Sequence, residues 1–253
     1  MKRLSFGVLA VCLFAGTTSA FAADLPIPMK AAPPVPMDPW TGWYVGGNVG
    51  GSFGTAQDSS TIGSGVPFSS TSANLNGVIG GAQFGYNYHA TPSWLLGFES
   101  DFQGSGEQAS ATTTMTTAFT PAFLARQFPP PNTLVDVEKL QWFGTVRGRI
   151  GWTPNQGALL YLTGGLAYGG VTSNPTFNTF SANFSTARVG WVVGTGVEVF
   201  IVKNWTAKAE YLYMDLGSIT NTFNVGLAPP VPFVVNSHIT DQIVRVGFNY
   251  HFW

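Results

Sequence analysis

Apolar and polar residues alternate along most of this chain, in eight separate stretches: residues 43–53, 76–88, 94–102, 140–152, 159–171, 187–199, 205–215 and 238–252. Alternation with period two places successive side chains on opposite faces of an extended strand. In 94–102, Trp94, Leu96, Phe98 and Phe102 share one face, and Glu99 and Asp101 the other. In 140–152, Leu140, Trp142, Val146, Ile150 and Trp152 oppose Gln141, Thr145, Arg147 and Arg149. Ala207, Ala209 and Tyr211 oppose Lys208 and Glu210, and Val244, Val246, Phe248, Tyr250 and Phe252 oppose Arg245, Asn249 and His251. Within each strand the charges keep one parity, so a one-residue slip would carry all of them onto the apolar face.

The connections alternate too. Short gaps (89–93, 153–158, 200–204) follow the second, fourth and sixth stretches, and long gaps rich in Ser, Thr, Asn and Pro follow the odd-numbered ones. Proline is excluded from interior ladder positions, and every proline falls outside the eight stretches. Short turns at one end and long loops at the other describe an up-and-down meander. The gap 103–139 leaves room for one more hairpin, and so for ten strands.

Composition decides the setting. Only 9% of the 253 residues are charged, while 45% are hydrophobic; an average soluble domain carries about 25% charge. Outside the N-terminus no run of 18 apolar residues provides a spanning helix. The membrane architecture left is the closed β-barrel. The expected fold is therefore all-β, an eight-stranded antiparallel up-and-down transmembrane β-barrel with short periplasmic turns and long extracellular loops. The 11 basic against 12 acidic residues give no field for nucleic acid.

Three segments follow. Residues 1–22 read as a signal peptide: Lys2 and Arg3, an apolar core over 4–15, and an A-x-A cleavage site at Ala20 and Ala22. Cys12, the single cysteine, leaves with it and is preceded by Val11 rather than the small residue of a lipoprotein site, so no disulfide is expected. Residues 23–40 hold six of the 17 prolines and read as a periplasmic linker of polyproline character. Residues 41–253 form the barrel.

Aromatics mark two levels on the apolar face. Trp43, Tyr88, Trp94, Trp152, Trp205 and Tyr250 lie toward the short turns; Phe53, Phe102, Trp142, Tyr168, Trp191 and Tyr213 lie toward the long loops. Such girdles sit at the two water–lipid boundaries. Trp142 and Trp152, ten residues apart on one face, are separated along the normal by roughly 25 Å, the height of an outer-membrane apolar band. Strand glycines such as Gly46-Gly47 and Gly164-Gly165 fit a narrow, curved barrel.

The other face is expected to form a lumen holding Glu99, Asp101, Glu198 and Glu210 with Arg147, Arg149, Arg188, Lys208 and Arg245. Buried charges need partners, so this set predicts an ion-pair network bracing and closing the barrel. Candidate chemistry is otherwise sparse. His89 and His251 sit at the short-turn end, away from any rim site. His238 lies near the outer rim with Ser237 and Asp241 close in sequence, a trio that arises easily without catalysis. No cysteine or histidine spacing suits a metal, no cofactor is expected, and the glycines of Gly80–Gly85 open no helix as a nucleotide fingerprint would. Residues 112–117 read as a solvated loop or strand extension.

The run from Arg245 through Val246, Gly247, Phe248, Asn249 and Tyr250 to His251 and Phe252 resembles the C-terminal signal read by the barrel assembly machinery; Arg245, Gly247, Tyr250 and Phe252 carry it, and Trp253 extends one residue past it. With Ala23-Asp24-Leu25-Pro26, the run Trp40–Gly51 and the Gly144–Gly151 segment, the chain is similar throughout its mature length to the alphaproteobacterial outer-membrane β-barrel family of outer-membrane immunogenic or porin-family proteins. The resemblance implies eight strands, a role in envelope integrity, surface exposure and no common enzymatic activity. Expected partners are outer-membrane lipid, lipopolysaccharide and the assembly machinery, with the loops left for host or surface contacts. Three readings remain: a closed structural barrel, a narrow ion or small-solute channel, and a soluble ligand-binding barrel.

Overall fold

The computed structural model describes residues 38–116, 122–155, 157–226 and 230–252. Ala20, Ala22, Cys12, most of the proline-rich segment, Thr117 and Trp253 lie outside the described residues. Eight long antiparallel strands form a ring: β1 (Gly42–Ile62), β2 (Val66–Thr91), β3 (Trp94–Met115), β4 (Asn132–Asn155), β5 (Ala158–Ser173), β8 (Phe184–Val202), β9 (Trp205–Val225) and β10 (Val231–Phe252). A short helix, α1 (Ala122–Gln127), lies between β3 and β4, and a small hairpin, β6 (Thr176–Phe177) with β7 (Phe180–Ser181), lies between β5 and β8. Successive ring strands pair, and β1 closes on β10. The gap 103–139 is used up by extensions of β3 and β4 and by α1, so the ring has eight strands rather than ten.

The long polar gaps are largely strand, which corrects the expectation of long loops. Gly54↔Leu75 to Ile62↔Val66 continue the β1–β2 ladder, and Thr112↔Val135 to Met115↔Asn132 continue β3–β4. The tip between β1 and β2 is three residues, with Gly63 (φ 64°) and Gly65 (φ 93°) in the left-handed region that favours glycine. Pro67 and Pro232 stand next to strand ends, where a missing ladder donor is tolerated. The 21 residues of β1, at about 3.3 Å each and tilted about 40°, reach roughly 50 Å along the normal, about twice the apolar band. Half of the wall therefore stands beyond the membrane, where lipid no longer demands an apolar outer face and Ser, Thr and Asn take it over.

The apolar side chains of the membrane band, among them Val49, Leu162, Leu166, Val246 and Phe248, point outward and are exposed. A soluble ligand-carrying barrel would reverse that polarity, so the arrangement counts against that reading. One register assignment needs correction. Leu140 is fully buried inside and Gln141 is exposed, the opposite of strict alternation. The ladder shifts between Leu140 and Trp142 against β5, and between Gly104 and Glu107 on β3. Such a bulge adds one residue and switches the face read from that point on.

The ring is united above and below by side chains that fill it. At the short-turn end Trp40, Leu95, Leu159 and Tyr161 form a buried cluster with Phe200 against it. Trp40 was expected in the linker, but it is fully buried and Asp38 accepts hydrogen bonds from its N–H (3.0 Å) and from Thr41, and pairs with His89. The barrel body thus begins at Asp38 rather than Thr41, because an indole at the mouth is worth more buried than in water. Midway up the ring is an apolar layer including Leu75, Ile79, Phe143, Leu212, Met214 and Ile243. A third cluster, including Phe68, Leu124, Phe128, Phe177 and Phe233, caps the extracellular end.

Candidate functional site in the barrel lumen

Between the bottom cluster and the middle apolar layer lies a network of buried charge. Its members come from inward positions of β3, β4, β8, β9 and β10, and several are cross-strand neighbours: Glu99↔Arg147, Glu198↔Lys208 and Glu210↔Arg245. Strand register alone brings these pairs within reach. Glu99 accepts hydrogen bonds from Arg147 Nη2 (2.5 Å), Lys208 Nζ (2.8 Å) and the Tyr44 hydroxyl (2.8 Å). Asp101 accepts from Arg147 (3.0 Å), Arg245 (2.9 Å) and Thr145 (2.8 Å). Glu210 accepts from Arg147 Nη1 (2.9 Å), Arg245 Nε (2.7 Å) and the Tyr161 hydroxyl (3.1 Å). Glu198 accepts from Arg149 (3.3 Å), Thr206 (2.5 Å) and Asn249 (2.7 Å). Four carboxylates and four cations are thus matched at one level, with hydroxyls and amides meeting further lone pairs.

Some contacts span the ring. In the strand order, β3 and β9 stand four strands apart in either direction, so the Lys208–Glu99 pair crosses the lumen from one side to the other. Arg147–Glu210 and Arg245–Asp101 cross it on shorter chords.

Aromatic side chains complete this layer. Arg149 lies over the rings of Tyr44 (4.7 Å to the centroid) and Tyr161 (5.2 Å), a cation–π pair with each. Room for the two phenols comes from glycine: a Cβ at Gly85 would strike the Tyr44 hydroxyl, and one at Gly196 would strike that of Tyr161. Sequence parity does not reveal Tyr44 and Tyr161, because an inward tyrosine reads like an outward one. His251, at the short-turn end of β10, has a place in this layer. It is buried, stacks on Tyr44 (5.3 Å) and stands 3.3 Å from Glu198.

Arg188 is the one residue of the expected set outside this network. It lies higher in the lumen, 3.9 Å from Glu138. There the structure buries five more acids, Asp58, Glu107, Asp136, Glu138 and Asp241, that alternation in the membrane band does not announce. Asp58, Asp136 and Glu138 stand above the outer aromatic level. Burial, reinforced by the charge on Asp58, pushes Glu138 up to about 7 and Asp136 up to about 6, and burial raises Asp58 as well.

The trio around His238 is taken apart. Ser237 and Asp241 point inward, Ser237 donating to Glu138 (2.6 Å). His238 faces out, 3.0 Å from Ser218 and 3.7 Å from Asp215. The second distance is too long for the hydrogen bond that would orient a catalytic base, and Asp215 already accepts the Gly217 N–H (2.7 Å).

All twelve girdle aromatics point outward. Trp43, Tyr88, Trp94, Trp152 and Trp205 are about half exposed around the short-turn end, and Trp94↔Trp152 and Trp205↔Tyr250 are cross-strand partners. At the other level, Phe53, Phe102 and Trp191 are exposed, while Trp142 stacks on Phe102 (5.6 Å) beside Tyr168 and Tyr213 packs on Trp191 (5.5 Å). Of the C-terminal signal residues, Tyr250 and Phe252 face out and pack edge to face (5.1 Å), whereas Arg245 and Gly247 face in. Replacing Phe252 by alanine should lower the amount of barrel in the outer-membrane fraction by roughly several-fold; quantitative immunoblotting checks this, and unchanged levels would remove the C-terminal argument.

Comparison with known proteins agrees with this geometry. A family model described as outer membrane protein beta-barrel domain matches residues 8–252. A 31 kDa outer-membrane immunogenic protein of Brucella melitensis is 34% identical, the match covering 93% of this chain and 94% of the relative. A 22 kDa outer membrane protein of Rhizobium leguminosarum is 34% identical over 75% of this chain and 70% of its own length. The solved structure of the outer membrane protease OmpT from Escherichia coli is similar in fold, with a TM-score of 0.54 at 9% identity, covering 83% of this chain and 97% of that one.

Proposed function

Since the chain belongs to the outer membrane protein β-barrel family, we propose that it is a structural, non-conducting barrel contributing to envelope integrity. It resides in the Gram-negative outer membrane. The observation that carries the reading is the set of ion pairs strung across the lumen, above all Lys208–Glu99, between apolar layers above and below. Water and ions pass poorly through a dry apolar layer, and charges already paired offer no relay. An eight-stranded ring is narrow enough for side chains to fill. Lipid and lipopolysaccharide meet the outer face, the assembly machinery reads the C-terminal strand, and host or surface contacts fall to the extracellular wall. No catalytic role is assigned, since His238 turns away from Ser237 and Asp241.

Planar-bilayer recording tests this directly. The purified barrel should insert without stable conductance steps. Reproducible ion-selective steps would instead establish the narrow channel.

A further inference from the structure

Three buried acids in the extracellular half converge with a single arginine near them, whereas the four carboxylates of the lower network are matched by four cations. Asp58 on β1 and Asp136 and Glu138 on β4 each offer a carboxylate oxygen, and these oxygens lie within 4.8 Å of one another. All three residues are more than nine-tenths buried. Asp58 Oδ1, Asp136 Oδ2 and Glu138 Oε2 are buried with no hydrogen-bond partner. The other oxygens of two of them are held by hydroxyls, Asp136 Oδ1 by Ser173 (3.2 Å) and Glu138 Oε1 by Ser237 (2.6 Å). Arg188 is the cation nearby, and its Nη1 is directed at the carbonyl oxygens of Ser237 (3.3 Å) and Gly217 (3.5 Å), while its Nη2 stays 3.9 Å from Glu138.

One arginine against three converging carboxylates leaves buried negative charge uncompensated, which a folded protein does not tolerate cheaply. We propose that Asp58, Asp136 and Glu138 bind a hard divalent cation of the calcium type inside the extracellular half of the barrel. The donors are all oxygen, which suits calcium and its tolerance of irregular coordination; sulfur and imidazole, the preferences of zinc and copper, do not contribute. Ser173 and Ser237 fix the carboxylates in place, as outer-shell partners do.

A way in exists. β8 and β9 pair only from Trp191↔Asp215 downward, while above that level β8 stays on β5 and β9 on β10. Among the described residues the ladder is therefore unpaired along this seam, and a small cleft there is lined by Ser173, Thr186, Arg188 and Asn221.

The test uses the full chain refolded in detergent free of lipopolysaccharide and stripped with EDTA. Calcium should raise the unfolding temperature by at least about 2–4 °C, and terbium luminescence should saturate at one site per chain. The double variant Asp136→Asn with Glu138→Gln should bind terbium at least about tenfold more weakly and lose the calcium shift. Without metal it should melt no lower than the parent, since repulsion has been removed, which shows that it folds. Asp58→Asn alone should weaken binding in the same direction. Absence of any calcium shift in the parent overturns the proposal, as does a shift retained in the double variant.

Discussion

Replacing Arg147 by alanine should cost the folded barrel about 3–5 kcal/mol, the range for removing one partner from a buried ionic network. Arg147 is 1% exposed and contacts Glu99, Asp101 and Glu210 at once. Its loss leaves three carboxylates to share Lys208, Arg245 and the more distant Arg149, all of them buried. Urea titration of the refolded protein, scored by the gel mobility that separates folded from unfolded barrel, gives the free energy. A cost below about 1 kcal/mol, the level of exposed ion pairs, would mean that water reaches these charges and would argue for a conducting lumen. Removing Glu210 together with Arg147 should cost less than the sum of the single losses, because the two are directly bonded (2.9 Å).

Phe143→Ala should cost a comparable amount, about 3–5 kcal/mol, and Phe248→Ala much less. Both are strand phenylalanines in the same barrel. Phe143 is fully buried in the middle apolar layer, where truncation opens a cavity that the surrounding ring cannot collapse. Phe248 is 56% exposed on the outer face, where an acyl chain fills the space left behind. The same unfolding assay on both variants checks the contrast. Equal losses would mean that the inward layer is not packed as a core.

The membrane band was legible because two solvents write on it: lipid requires apolar residues outside and paired charge requires the inside, so Glu99, Arg147, Lys208, Glu210 and Arg245 declare their face by parity. Legibility failed where that contrast fails. Residues 54–62 and 105–115 lie beyond the lipid, both their faces accept polar residues, and the alternation that would mark them as strand fades. Leu75, Ile79, Leu212 and Ile243 line the interior with the same apolar character as the exterior, so the packed layer that blocks the lumen carries no distinct signal. The bulge at Leu140 reverses the parity that a strict count assigns to Gln141, and nothing in the local residues announces it. Trp40 looked like the end of a proline-rich tether because only the closed ring provides the pocket that receives it. The acidic trio is equally hidden: Asp58 is separated from Asp136 and Glu138 by more than seventy positions and meets them only across the closed ring.

That the strands outlast the bilayer has a consequence for anything approaching from outside. Among the described residues it meets in large part the side of a sheet. On that sheet Ser70, Ser59 and Asn236 stand side by side on three adjacent strands, and so do Ser72, Gln57 and His238. An antibody or a phage fibre recognising this wall reads across the chain rather than along it. Its footprint exists only in the folded protein, and no short peptide cut from the sequence will reproduce it.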